Sequence, residues 1–156
     1  ERVTRYGKKF RIFKFRSMVS GADKKGSLVT VNNDARITRV GKLIRKCRLD
    51  EISQLIDVFR GTMSFVGTRP EVTKYVEKYA PKMRATLLLR AGVTSEASIC
   101  FKDEDELLSG AENVDEVYVE KILPEKMKYN LQSIKKFSLF SDLKTMFRTV
   151  FAVLKK

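Results

Sequence analysis

Histidine is absent from the 156 residues of this chain, and cysteine occurs only at Cys47 and Cys100. Without imidazole there is no Ser-His-Asp or Cys-His relay and no ordinary histidine-ligated metal site. The cysteines stand too far apart to signal a disulfide framework or a zinc site, which suits a reducing compartment. No apolar run reaches the eighteen or so residues that a membrane-spanning helix requires. The chain also lacks a Gly-x-x-x-x-Gly-Lys phosphate loop, an internal repeat and any low-complexity tract. Catalysis, if any, must run on carboxylates, lysines, tyrosines or hydroxyls.

What is abundant is positive charge, with 32 Lys and Arg against 19 Asp and Glu for a net charge of +13. It is concentrated early: residues 1–50 hold 15 basic and 4 acidic side chains, whereas residues 51–156 hold 17 and 15. A front-loaded excess points to an anionic partner held near residue 50, with nucleic acid, anionic lipid and phosphorylated small molecules all open. The length is one domain's worth, enough to bury a core.

The basic excess ends at an acidic pair, Asp50-Glu51. Leu49, Ile52, Leu55, Ile56 and Phe59 recur at three and four residues, so an amphipathic helix is expected to open at the pair and stop at Gly61. At a helix start the free N–H groups and the macrodipole favour ionised carboxylates, and they would equally favour a phosphate alongside. A plain helix cap explains such a pair too.

Elsewhere the pattern predicts an α+β domain over residues 1–156, mostly helical, with a small N-terminal β-hairpin, short strands and amphipathic membrane-interface helices. Arg2–Arg5 and Phe10–Phe15 read as the hairpin around Tyr6-Gly7-Lys8, with Lys14 and Arg16 on one face. Ser20–Asn33 reads as a loop. Gly41–Arg48 reads as a short helix with Leu43, Ile44 and Cys47 inward, and Met63–Val66 as a strand before a tight turn at Gly67. Further helices are expected from Pro70 to Tyr79, over Lys82–Arg90, and over Asp115–Ile122 and Pro124–Lys136, the last two meeting at Pro124. Ser98–Lys102 suggests a strand, and Asp103-Glu-Asp-Glu106 a solvated helix start rather than a calcium loop. Ser141–Lys156 carries Leu143, Met146, Phe147, Val150, Phe151 and Leu154 on one face with a basic rim, the pattern of either an interfacial or a core-packed terminal helix.

Several segments, taken together, resemble the bacterial sugar transferase family of monotopic phosphoglycosyl transferases. They are Lys14-Phe-Arg-Ser-Met18, Asp34-Ala-Arg-Ile-Thr-Arg-Val-Gly41, Leu49-Asp-Glu51, Arg60-Gly-Thr-Met-Ser-Phe-Val-Gly-Thr-Arg-Pro70 and Phe140-Ser-Asp-Leu-Lys-Thr-Met-Phe147. They stand in the family's order along nearly the whole chain. Thr68 departs from the family's usual Pro, Ala91-Gly-Val-Thr-Ser95 from Pro-Gly-Ile-Thr-Gly, and Cys100-Phe-Lys102 from Asn-Gly-Arg.

The resemblance implies transfer of a sugar-1-phosphate from a nucleoside diphosphate sugar, a UDP-sugar above all, to polyprenyl phosphate through an aspartyl phosphosugar, as an opening step of glycoconjugate synthesis. It assigns Asp50 as nucleophile and Glu51 as its helper, with both as candidate ligands of Mg²⁺. Lys14, Arg16, Arg45, Arg69 and Lys102 become the candidate substrate-binding cations. It also implies a monotopic protein on the cytoplasmic face of the bacterial inner membrane, with a membrane-embedded hairpin upstream of Glu1, and no nucleic-acid partner. The rival is a non-catalytic basic domain that binds nucleic acid or anionic lipid. That rival explains the charge, but not an acidic pair set where it would repel a phosphate backbone.

Overall fold

Two small sheets hold all the named strands among the described residues of the computed structural model, which cover 1–22, 29–31 and 34–155. In the first, β1 (Arg2–Val3) pairs antiparallel with β2 (Lys9–Phe10). Tyr6 and Gly7 make the turn between them with positive φ of 59° and 74°. The hairpin is shorter than predicted, because the chain beyond Phe10 spends its backbone donors elsewhere. Phe13 donates to Asp57 Oδ2 at 2.9 Å and Phe15 to the Asp50 carbonyl at 3.0 Å. Lys14, between them, is thereby tied to the segment that carries the acidic pair. The predicted loop at Ser20–Asn33 lies partly outside the described residues, including Gly26, Asn32 and Asn33.

Helix α1 (Arg39–Lys46) starts where Thr38 Oγ1 accepts the Gly41 N–H at 2.9 Å. Leu43 and Cys47 are exposed rather than inward. The acidic pair then lies not at the start of an α-helix but inside a 3₁₀ segment, Leu49–Gln54, that leads into α2 (Leu55–Phe59). Arg48 precedes it in the left-handed region, at φ 53°, and no side chain caps it. Gly61 ends the run as predicted, with φ 72°. The apolar periodicity is real but faces outward: Leu49, Ile52, Leu55 and Ile56 are exposed, and Phe59 is 95% exposed.

The second sheet pairs β3 (Met63–Val66) with β4 (Ala91–Thr94) in parallel, in the register Met63 to Ala91 and Val66 to Thr94. A parallel pair needs a crossover, and it is built from α3 (Thr73–Val76) and a 3₁₀ segment over Pro81–Leu88. The expected helices at Pro70–Tyr79 and Lys82–Arg90 thus shrink or tighten, and Ala91-Gly92 is strand rather than helix stop. Gly67 serves close approach, not a tight turn. A Cβ on Gly92 would lie 2.1 Å from the Gly67 nitrogen, and one on Gly67 would lie 2.7 Å from the Arg90 carbonyl oxygen.

After β4, Ser95 Oγ accepts the Ser98 N–H at 3.0 Å and starts α4 (Glu96–Cys100), so the segment predicted as strand is helical. Helix α5 (Glu104–Leu107) opens on the acidic run. Helix α6 (Val114–Val117), a π-turn over Tyr118–Ile122 and α7 (Leu123–Lys135) then follow without a break. Pro124 does not separate two helices: it falls just after the π-turn, inside the continuous helical run. The buried core clusters Val3, Tyr75, Val76, Tyr79, Leu108, Tyr118, Ile122, Leu123 and Met127.

The last helix, α8 (Leu139–Leu154), is inside out. Its polar stripe meets the protein: Thr145 donates to Glu96 at 2.9 Å, Arg148 pairs with Glu96, and the Thr149 and Thr94 hydroxyls meet at 2.7 Å. Leu139, Phe140, Leu143, Phe147, Val150, Phe151 and Leu154 face away and are exposed. The core-packed reading of this stripe is therefore excluded.

Replacing Gly92 by Ala is expected to destabilise the protein by about 3 kcal/mol or more, because the new methyl meets backbone that cannot rotate away. Urea titration measures this, and a loss within about 0.5 kcal/mol would show that β3 and β4 separate readily.

Candidate active site

Asp50 is 3% exposed, and desolvating a carboxylate is costly unless partners surround it. Lys14 Nζ lies 2.9 Å from Asp50 Oδ2 and 3.6 Å from Glu51 Oε1, bridging the pair. Arg69 closes a two-pronged ion pair on Glu51, with Nη1 donating to Oε2 at 3.0 Å and Nη2 donating to Oε1. Arg48 adds a longer contact to Glu51 at 4.0 Å. The clamp comes from three separate parts of the chain: the segment after β2, the left-handed residue before the 3₁₀ segment, and the turn after β3.

That turn does not depend on the side chain at position 68. The Thr68 carbonyl accepts the Gly92 N–H at 2.9 Å, and the Gly67 N–H donates to the Thr94 carbonyl at 3.0 Å. Strand pairing on both sides therefore fixes where Arg69 starts.

Burial by itself would raise the Glu51 carboxyl. The charge and hydrogen bonds of Arg69, followed by the charges of Lys14 and Arg48, outweigh it and hold the group at about 2. The Glu51 charge in turn raises Arg69 above its ordinary range, against the opposing effect of desolvation. Both remain charged at neutral pH.

The pair opens onto a cavity of about 480 Å³ whose near wall also carries Lys42, Arg45, Lys46, Arg48 and Lys102. Such a volume with convergent cations suits a diphosphate-bearing ligand. Of the residues singled out in the sequence, Asp50, Glu51, Lys14, Arg45, Arg69 and Lys102 all border this cavity. Arg16 does not: it is exposed, and the strand alternation that would have set it beside Lys14 is not formed. Arg48, Glu71, Tyr118 and Lys126 also border the cavity without having been singled out. A lysine on the buried stripe Leu123, Lys126, Met127, Asn130 of α7 was the available signal.

A second cavity of about 220 Å³ adjoins the first at Arg48, Glu51 and Lys102. Its outer wall is apolar, built by Ile52, Leu55, Val93, Ile99, Ala152 and Val153. Glu51 thus borders both a charged chamber and an apolar one, whereas Asp50 borders the charged one alone. Among the described residues no group of three or more Asp, Glu, Cys or His gathers as a preformed metal cage.

A buried, cation-clamped Asp-Glu pair beside a cation-lined cavity has the chemistry to hold anionic groups, and comparison with known proteins gives the class. The family profile described as bacterial sugar transferase matches residues 1–156, and the chain belongs to that family. It is 32% identical, over 98% of its length, to the UDP-N-acetylgalactosamine-undecaprenyl-phosphate N-acetylgalactosaminephosphotransferase of Aeromonas hydrophila, covering 34% of that protein. It is 32% identical over 96% of its length to the UDP-glucose:undecaprenyl-phosphate glucose-1-phosphate transferase of Escherichia coli, covering 31% of that protein. With the undecaprenyl-phosphate galactose phosphotransferase of Salmonella typhimurium the identity is 31% over 100% of this chain and 33% of the relative. The chain therefore spans about a third of the length of these curated relatives.

Because the folded-state carboxyl of Glu51 is depressed, its contribution to stability is present above its ordinary value of 4.5 and is lost as pH falls toward about 2. The contribution is on the order of 3 kcal/mol at neutral pH. The stability gap between wild type and Arg69→Ala should be widest above about pH 5 and shrink toward pH 2, read from urea midpoints across that range. A gap independent of pH would mean that Arg69 stabilises through packing alone.

Proposed function

We propose that the protein carrying this chain is a phosphoglycosyl transferase that moves a sugar-1-phosphate from a UDP-sugar to polyprenyl phosphate through an aspartyl phosphosugar on Asp50. The observation that carries this reading is the buried acidic pair clamped by Lys14 and Arg69 on a cationic chamber, with Glu51 also bordering the adjoining apolar one. The names of the three relatives described above, each an undecaprenyl-phosphate sugar phosphotransferase, support it.

In the first step a carboxylate oxygen of Asp50 attacks the sugar-bearing phosphorus. The bond from that phosphorus to the bridging oxygen breaks, and UMP leaves with the electron pair. In the second, an oxygen of polyprenyl phosphate attacks the same phosphorus and the bond to Asp50 breaks, restoring the carboxylate. Splitting the transfer lets one anionic substrate leave the site before the next is attacked. Lys14 holds Asp50 in place and offsets the charge of the approaching phosphates. Arg69 keeps Glu51 ionised and presents its guanidinium to phosphate oxygens.

Mg²⁺ suits the donor set, since Asp50 and Glu51 offer hard carboxylate oxygens beside a cavity roomy enough for phosphates and waters. These two residues would hold it, and the ion would offset phosphate charge during transfer. The apolar chamber is the route by which the lipid acceptor reaches Asp50 from a bilayer. The outward apolar faces of α2 and α8 rest on the cytoplasmic leaflet, with Lys144 and Lys155 toward anionic headgroups.

Enzyme incubated with its cognate UDP-sugar and no acceptor is expected to gain the mass of a sugar phosphate on the peptide containing Asp50. Asp50→Asn should abolish both adduct and turnover while leaving the fold intact, since the amide is nearly isosteric. An adduct that persists in the variant would move the nucleophile elsewhere.

The membrane face has its own test. The 156-residue chain should sediment with vesicles containing anionic phospholipid, and Phe147→Glu with Phe151→Glu should lower the bound fraction roughly tenfold or more. Equal binding of both forms would rule out α8 as the contact.

A further inference from the structure

The end of the large cavity away from Asp50 is built differently. There Glu71, Glu104 and Asp105 stand with Arg2 and Lys126, and the charges of Glu71 and Glu104 also act on Arg69. Lys126, 5% exposed, donates to Glu104 Oε2 at 2.8 Å and to the Tyr118 hydroxyl at 3.1 Å, and lies 3.8 Å from Glu71. Tyr118 donates to Glu71 Oε1 at 2.5 Å. Burial, then the Glu71 charge, pushes the Tyr118 phenol far above its ordinary range, so it stays a donor.

Two features separate this cluster from a self-contained structural ion pair. It borders a cavity, and among the described residues Glu71 Oε2 and Glu104 Oε1 accept no hydrogen bond. A carboxylate oxygen left open beside a cavity accepts O–H or amide N–H groups and repels phosphate. Geometry links the cluster to the chemistry as well. Glu71 follows Arg69 and Pro70 in one turn, so the residue that clamps Glu51 and the residue that anchors Tyr118 move together.

Resting on the phosphoglycosyl transferase reading, we infer that Glu71, Tyr118, Lys126 and Glu104 form the sugar-recognition end of the donor site, with Glu71 Oε2 and Glu104 Oε1 accepting sugar hydroxyl or acetamido hydrogens. The cavity is then polar in a directional sense. Phosphates are drawn to the cationic end at Asp50, and the sugar, joined directly to the attacked phosphate, reaches the acidic end. The ribose lies one phosphate further from the attacked centre and is not the group bound here. Relatives whose names differ in sugar, N-acetylgalactosamine, glucose and galactose, require a discriminating surface of this kind somewhere in the protein.

The test compares Glu71→Gln and Tyr118→Phe with wild type in the full-length, membrane-bound protein. The cognate UDP-sugar is identified from a panel by UMP release, then compared with deoxy analogues of its sugar, and UMP affinity is measured separately. Glu71→Gln should lower kcat/KM for the cognate donor roughly 10- to 100-fold, the scale of a lost hydrogen bond to a charged group. The loss should shrink for the deoxy analogue that lacks the recognised hydroxyl, and UMP, which has no sugar beyond its ribose, should bind both variants as it binds wild type. Retained UMP affinity also shows that a variant is folded. Equal losses across all donors would overturn the inference in favour of a structural ion pair, and weakened UMP binding would reassign the cluster to the ribose. A wild-type protein that releases no UMP from any sugar nucleotide would overturn the underlying transferase reading, and this inference with it.

Discussion

The Glu51–Arg69 ion pair is the interaction on which the site depends, because it makes burial of the acidic pair tolerable. Two adjacent carboxylates repel each other and lose hydration when buried, and each effect alone would favour protonation. Arg69 answers with a planar fork that meets both Glu51 oxygens, which a lysine could not do. Lys14 then bridges the remaining charge to Asp50. The result is a Glu51 carboxylate kept ionised despite its burial, with Asp50 held beside it by Lys14.

Placing that fork requires the parallel pairing of β3 and β4. Arg69 leaves β3 at a point set by hydrogen bonds between Gly67, Thr68, Gly92 and Thr94. Two glycines are needed where the strands' backbones nearly touch, so a short sheet of two strands acts as the mount for an arginine. The same turn carries Glu71 toward Tyr118 and Lys126, so one backbone excursion serves both ends of the cavity.

Apolar surface is distributed against the usual rule for a small globular domain. The 3₁₀ segment, α2 and α8 turn their large apolar side chains outward, while α8 binds the protein through Thr145, Arg148 and Thr149. Hydrogen bonds and an ion pair hold that helix in place, which leaves its apolar face free. Exposed apolar surface of this extent marks an interaction face, and the exposed stripe of α8 is what the proposed bilayer contact rests on.

By itself the sequence determined the short-range features: Gly61 as a stop, Met63–Val66 as a strand, the acidic start of α5 and the amphipathic stripe of α8. Each rests on local geometry or periodicity, which a linear string carries. The ordered motifs also carried the family, and the sequence picked out four of the nine cations that line the cavity among the described residues, Lys14, Arg45, Arg69 and Lys102. Periodicity could not say which way a stripe faces, so the apolar side of Leu49–Phe59 read equally well as core, and residues 11–15 read as strand although their donors go to Asp50 and Asp57. Nor could it separate Lys14 from Arg16, or bring Glu71 to Lys126 across 55 residues of chain. Those outcomes were decided by tertiary structure alone, because burial and ion pairing depend on which distant segments meet and how much water their meeting excludes.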